Sequence, residues 1–173
     1  FGAVIGSTSQ ATLTIVDDES YNIPAGSVDT TFNTAAGADN FIYSLRLQSD
    51  QKLIIGGDFK VFNGLTRNRI ARLDINGDLD LTFNPGKGAN GSVRALGIQA
   101  DRKILLGGLF STYNGTNRNH IARLNLDGTL DLNFDPGGGP DNPVYALAIQ
   151  PDGKVVIGGL FTSVSGTGRN FYA

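Results

Sequence analysis

Apolar and polar residues alternate along Val93-Arg94-Ala95-Leu96-Gly97-Ile98-Gln99, the period-two pattern of a half-buried strand. Ala100-Asp101-Arg102-Lys103 then reads as a tight turn, and its later copy, Pro151-Asp152-Gly153-Lys154, is an explicit turn sequence. Ile104-Leu105-Leu106 runs unbroken into Gly107-Gly108, which predicts an inner strand buried on both faces. The glycine pair would let one backbone approach another or form a bulge. Leu109 to Tyr113 resumes an extended pattern, and Asn114-Gly115 is a strong hairpin signal. Ile121 to Leu126 alternates again, Asp127-Gly128 turns, and Leu130-Asp131-Leu132-Asn133-Phe134 extends to Asp135-Pro136. A run of Gly, Pro and Asn over 137–143 ends the cycle, giving three or four short strands.

This cycle repeats with a period of 51 residues. Gly56-Gly57 returns as Gly107-Gly108 and Gly158-Gly159; Phe59 returns as Phe110 and Phe161. Phe32, Phe83 and Phe134 keep the same step, as do Gln48, Gln99 and Gln150. Aligning 32–82 with 83–133 needs no gap and gives 23 identities in 51 positions. The repeat region spans 29–173, with units 32–82 and 83–133 and a partial unit 134–173. A unit of this kind cannot cover both its faces, so neighbours must stack. Strands at this spacing in a unit near 50 predict an all-β fold of β-propeller-like blades, with an open β-solenoid as the alternative layout. About three units are present, so closure is expected to need further blades or an open array.

Residues 1–19 do not follow the repeat. Gln10 to Val16 alternates as one strand, and Asp17-Asp18-Glu19 follows it. Residues 20–28, with Pro24 and Gly26, read as a linker. No basic region followed by an apolar core and no apolar stretch near 18 residues occurs, so no signal peptide or helical span is visible. The chain stops inside a repeat, which reads as a piece of a larger protein.

Composition narrows function by exclusion. Fourteen Lys and Arg against sixteen Asp and Glu leave a formal charge of -2, too little field for a nucleic-acid backbone binder. Glycine, at 24 of 173 residues, disfavours a helical bundle, and a 40% hydrophobic fraction supports a core. Cysteine is absent, which removes disulfides, thiolate metal sites and cysteine nucleophiles.

Candidate chemistry is sparse. No phosphate-cradling glycine motif and no G-x-S-x-G elbow occurs. His120 is the single histidine, with Arg69 and Phe171 as its repeat counterparts, and reads as a surface residue. Arg67-Asn68, Arg118-Asn119 and Arg169-Asn170 recur in every unit. A rim of guanidinium groups could grip a carboxylate; recurrence favours a structural role instead. In that role Arg bonds carbonyls or Asp and ties one blade to the next, while Asn fixes a turn. Arg72 and Arg123 fall on the outward phase of their strand, for surface or interblade contact. Asp50, Asp101 and Asp152 read as turn residues near Lys52, Lys103 and Lys154. Both phenylalanine series read as core wedges between blades.

The string Lys52-Leu53-Ile54-Ile55-Gly56-Gly57-Asp58-Phe59 and its copies resemble the delta-60 repeat family, a bacterial β-propeller-like module. Asn63-Gly64, Arg67-Asn68, Ile70-Ala71-Arg72-Leu73, Asn76-Gly77, Leu79-Asp80 and Phe83-Asn84-Pro85 extend the resemblance over about 28–173. It implies a repeat of large secreted or surface proteins with no assigned catalytic residues. Ala11-Thr12-Leu13-Thr14-Ile15-Val16-Asp17-Asp18-Glu19 is similar to the end of a Calx-beta domain, an immunoglobulin-like β-sandwich. That resemblance implies calcium in the parent protein, with Asp17, Asp18 and Glu19 at the matching acidic positions. Three side chains do not make a complete site, since Ca²⁺ takes six to eight oxygens.

The expectation is thus a non-enzymatic structural or adhesive module, secreted or on a bacterial cell surface, requiring no cofactor of its own. Its partners would be flanking blades or domains of the same chain, with glycan or surface protein as further partners. No nucleic acid and no membrane insertion are expected. Two alternatives stand beside it. One is a binding module using Leu65-Thr66, Thr116-Asn117 and the 86–92 and 137–143 loops; the other is a filament-forming subunit.

Overall fold

The computed structural model describes Phe32 and residues 35–173; Asp17, Asp18 and Glu19, the sandwich remnant and the linker lie outside them. Among the described residues every regular element is a β-strand. The first unit pairs β1 (Ile42–Leu47), β2 (Leu53–Gly57) and β5 (Ile70–Leu73) in the order β1-β2-β5, all antiparallel. The second repeats this with β6 (Val93–Ile98), β7 (Ile104–Gly108) and β10 (Ile121–Leu124). The third has β11 (Val144–Ile149) and β12 (Val155–Gly159), with Tyr172 bridging Gly158.

Each unit is a blade whose first strand lies innermost. β1, β6 and β11 stand side by side, and the sheets fan outward from them. The fold is therefore all-β with propeller-like blades, and its sheets are several small separate ones rather than one closed sheet. The 130–134 segment does not extend as a strand. It makes a single bridge, Leu124 with Leu130, and then turns at Asp131, whose carboxylate accepts the Asn133 amide at 3.0 Å. An aspartate at that point offers the backbone a local bond that ends the ladder.

Short hairpins branch from each blade: β3 (Val61–Phe62) with β4 (Leu65–Thr66), β8 (Thr112–Tyr113) with β9 (Thr116–Asn117), β13 (Ser163–Val164) with β14 (Thr167–Gly168). Asn63 and Gly64 both adopt positive φ, 47° and 77°, the two-residue turn that matches strand twist.

The glycine pairs have two separate jobs. The inner strand bulges at 93–95, and a Cβ on Gly108 would fall on the Ser92 carbonyl there. The preceding glycine faces the next blade: a Cβ on Gly56 would meet Val93 Cγ1 at 2.6 Å, and one on Gly107 would meet Val144 Cγ1 at 2.6 Å. Val93 and Val144 are fully buried there. The largest core cluster crosses the first junction, joining Ile54 and Ile70 of blade one to Val93, Leu96 and Ile104 of blade two. Phe59, Phe83, Phe110 and Phe161 are completely buried. Each contributes about 1.5–3 kcal/mol by burial. Phe83 wedges onto Gly128 in the turn that follows β10. Phe32, in contrast, remains 38% exposed while lying against Gly77, and Phe134 is half-buried.

The turn after each inner strand needs a left-handed residue. Gly153 supplies it at φ 83°, whereas Gln51 and Arg102 hold φ 65° with a Cβ. Arg102→Gly is expected to stabilise the fold by about 0.5–1 kcal/mol, because relief of the left-handed penalty exceeds the entropy cost of glycine. A higher urea midpoint with unchanged slope is the expected readout.

Candidate functional site

The recurring charges converge at the blade edges. Arg72 comes from β5, Lys52 from the start of the hairpin into β2, and Asp80 from the turn after the Leu73–Leu79 bridge. Asp80 Oδ2 accepts Lys52 Nζ at 2.7 Å and Arg72 Nε at 2.8 Å. Its Oδ1 accepts the Thr82 amide at 2.9 Å and the Thr82 hydroxyl at 2.6 Å. Burial by itself would raise the Asp80 pKa; the bonds from Lys52, Thr82 and Arg72 outweigh it and hold the carboxyl far below the usual range. Arg72 then leaves its own blade: Nη1 donates to the Leu126 carbonyl of the next unit at 2.6 Å, and the guanidinium lies 5.0 Å from the Phe83 ring centre. The copy uses Arg123, Lys103 and Asp131, with Arg123 over Phe134 at 4.9 Å. Arg72 is thus a buried interblade residue, and the surface half of its expected role does not hold.

The Arg-Asn pairs divide their labour differently from expectation. Arg67, Arg118 and Arg169 donate Nη1 to the carbonyl of the residue before, Thr66, Asn117 and Gly168, at 2.9, 2.8 and 2.9 Å. The crossing bond belongs to the asparagine. Asn68 Nδ2 reaches Lys87 O and Asn119 Nδ2 reaches Gly138 O, both at 2.9 Å. Asp50, Asp101 and Asp152 do cap turns, each accepting the amide of the lysine two residues on. Lys52 and Lys103 turn away to the buried aspartates, while Lys154 pairs with Asp152 at the surface.

A set missed from the sequence is Asp39, Asn90 and Asp141. Each side-chain Oδ1 accepts two successive amides at the start of a hairpin: Lys60 and Val61, Ser111 and Thr112, Thr162 and Ser163. Asp and Asn interchange because only an acceptor oxygen is needed, and that interchange hid the period. The Ser163 amide and the Thr162 hydroxyl and amide bring the Asp141 carboxyl down to about 2. Tyr113 was read only as part of a strand; it is fully buried, and its hydroxyl donates to Gly128 O at 3.0 Å.

The rim differs between junctions where Asp58, Arg69 and Ser92 give way to Leu109, His120 and Pro143. Arg69 fills the first, donating Nη1 to Ala89 O at 2.8 Å and pairing with Asp58 at 3.4 Å. At the second junction His120 stands there, half-buried rather than on the surface, with φ 63° and Nδ1 at 3.1 Å from Gly108 O. Beside it lies a cleft of about 520 Å³, lined by Asn119, His120, Pro140, Asp141, Ser163 and Ser165. Among the described residues no three His, Cys, Asp or Glu side chains form a metal-binding group. Among them, too, no helix is long and apolar enough to cross a membrane.

A family model described as a domain of unknown function, DUF5122, beta-propeller, matches residues 48–83, 99–134 and 150–171, over half of the chain. The chain belongs to this family. Each DUF5122 segment begins at the recurring glutamine, and the first two end at Phe83 and Phe134. All three enclose the glycine pair and the Arg-Asn pair, and the first two also enclose the Lys-Arg-Asp cluster. The matched segments include Asn68, Asn119 and Arg72, whose hydrogen bonds cross to the next blade, and Gly56 and Gly107, which face it. No curated protein and no solved structure matches the chain.

Several carboxylates sit low because they accept hydrogen bonds from nearby amides, hydroxyls or cations: Asp39, Asp80, Asp127, Asp131 and Asp141. A folded pKa below the ordinary 3.8 contributes stability that is complete above 3.8 and lost as pH falls through the folded value. Urea midpoints are expected to stay level toward neutral pH and to fall below about pH 4. Asp80→Asn should make that acid limb shallower.

Proposed function

We propose that this DUF5122 chain is a non-catalytic structural module, a rigid β-propeller segment of a large secreted or surface protein. The observation that carries this reading is the use made of its recurring charged side chains. Lys52, Arg72 and Asp80 pair with one another, as do Lys103, Arg123 and Asp131; Arg72 also bonds the next blade, and the buried Asp80 carboxylate has each oxygen occupied by donors. A general acid or base needs a group that can exchange a proton with substrate. The surface assignment is supported by the resemblance to delta-60 repeats and, at 11–19, to a Calx-beta domain end. Calcium at Asp17, Asp18 and Glu19 would belong to such a neighbouring sandwich rather than to the blades. Antibody against the repeat region is expected to label intact producing cells. The purified chain is expected to turn over none of a panel of glycoside, ester, phosphoester and peptide substrates. Labelling only after permeabilisation, or turnover abolished by Asp80→Asn in a folded chain, overturns the reading.

One observation favours a second reading, recognition through the rim. The cleft at His120 includes Pro140 and Asp141 of the 137–143 loop, where binding loops were expected. Its mixed donors and acceptors suit a neutral glycan. His120→Arg would put a longer side chain into the cleft. Loss of glycan-array binding in that variant, with the fold intact, supports recognition; an unaltered chain that binds no glycan removes it.

A further inference from the structure

The inner strand of every blade carries a bulge at the same place. Pairing slips between Ile42 and Ser44, between Val93 and Ala95, and between Val144 and Ala146. Tyr43, Arg94 and Tyr145 are therefore the extra residues of three bulges. β1, β6 and β11 are the innermost strands and stand side by side, so the bulges place these three residues along one edge of three adjacent blades. Across the first junction, Arg94 Cζ lies 3.7 Å from the centre of the Tyr43 ring. Blade two has a described blade on either side, so both neighbours of Arg94 along this edge are in view.

Arg94 departs from the repeat in two respects. Tyrosine serves at this position in units one and three, so the blade itself does not require an arginine. Its side chain is also unpaired. Of the other buried or half-buried arginines described, Arg67, Arg69 and Arg118 donate to backbone carbonyls, and Arg72 and Arg123 donate to carboxylates. The Arg94 side chain makes no hydrogen bond and no ion pair among the described residues, and its Nε is buried without an acceptor. A buried donor left unmade is costly, and folded chains seldom carry one without a use.

We propose that Arg94, with Tyr43 and Tyr145, binds a small carboxylate bearing a flat ring at the inner edge of the blades. Stacking on Tyr43 covers one face of the guanidinium and fixes its plane. The N–H groups lie in that plane, where a carboxylate can take two of them in parallel. The two terminal nitrogens are the ones engaged, because Nε is enclosed. An incoming anion displaces no partner, since no carboxylate pairs with Arg94 among the described residues. The cation is held half-buried, where water screens its attraction for an anion less than at an open surface. Tyr145, exposed at the same position of blade three, offers its ring to the ring of the ligand. This site is separate from the cleft at His120 and rests on neither reading of the chain's function.

Benzoate is the probe. In the nitrogen-15-labelled chain the Arg94 Nε–H signal, identified by its loss in Arg94→Lys, is expected to shift as benzoate is added. Benzamide has the ring without the charge, and acetate the charge without the ring; each should bind at least about tenfold more weakly. Arg94→Lys keeps the charge and loses the planar fork, and should weaken benzoate at least about tenfold. Arg94→Tyr gives blade two the residue its neighbours carry, so circular dichroism should not change while benzoate binding is lost. An Arg94 signal that no concentration of benzoate moves overturns the proposal. So does benzamide or acetate binding as tightly as benzoate, or unaltered benzoate binding in a folded Arg94→Tyr chain.

Discussion

Asp80→Ala is expected to destabilise the chain by about 3–5 kcal/mol, because it leaves Arg72 charged and buried with no counter-ion. Arg72 is 4% exposed and Asp80 9% exposed, so water cannot replace the lost carboxylate. The loss also frees Lys52 and Thr82, and it loosens the Arg72 bond to Leu126 that reaches blade two. Equilibrium urea unfolding measures it. The surface pair Lys154–Asp152 supplies the contrast: Asp152→Ala should move the urea midpoint far less, since both partners are largely solvated. Replacing both buried partners, Arg72→Met with Asp80→Leu, should recover much of the loss, because the one charge left without its partner, Lys52, has a side chain a third exposed and can turn to water. Equal effects for Asp80→Ala and Asp152→Ala would show that burial of the cluster is not what matters.

Gly107→Ala should cost about 2–3 kcal/mol, while Gly158→Ala, the same substitution one unit later, should be nearly neutral in the monomer. The sequence around the two is almost the same; the neighbour is not. At 107 the new methyl would press on Val144 Cγ1 at 2.6 Å, inside a packed junction. At 158 the nearest atoms are at 3.7 and 3.9 Å, ordinary contact. The comparison belongs at protein concentrations where the chain is monomeric. A Gly107→Ala chain as stable as its parent would mean that the blades can part at that junction without cost.

Much of the architecture was legible because it is written at a fixed period. The step of 51 located the glycine pairs and the Phe59, Phe110 and Phe161 series in every blade and the Asn-Gly turn in two, Ser165-Gly166 replacing it in the third, since each answers a local steric demand. The exception at 130–134 reads as a strand by alternation, yet Asp131 caps its own backbone and stops it. The cluster at Asp80 was visible only as three recurring residues. Nothing in their spacing says that a lysine next to Asp50 reaches past it to a residue 28 positions away.

The sequence by itself determined the unit: its length, its strands, its turns and the side chains that must be buried somewhere. The tertiary structure alone decided which unit buries them. Backbone hydrogen bonds and turn chemistry act over a few residues and so leave a trace in local pattern. The contact between Gly107 and Val144, the reach of Arg72 to Leu126, and the cleft beside His120 depend on how two sheets meet. That meeting is set by packing across surfaces far apart in the chain, which no local pattern encodes.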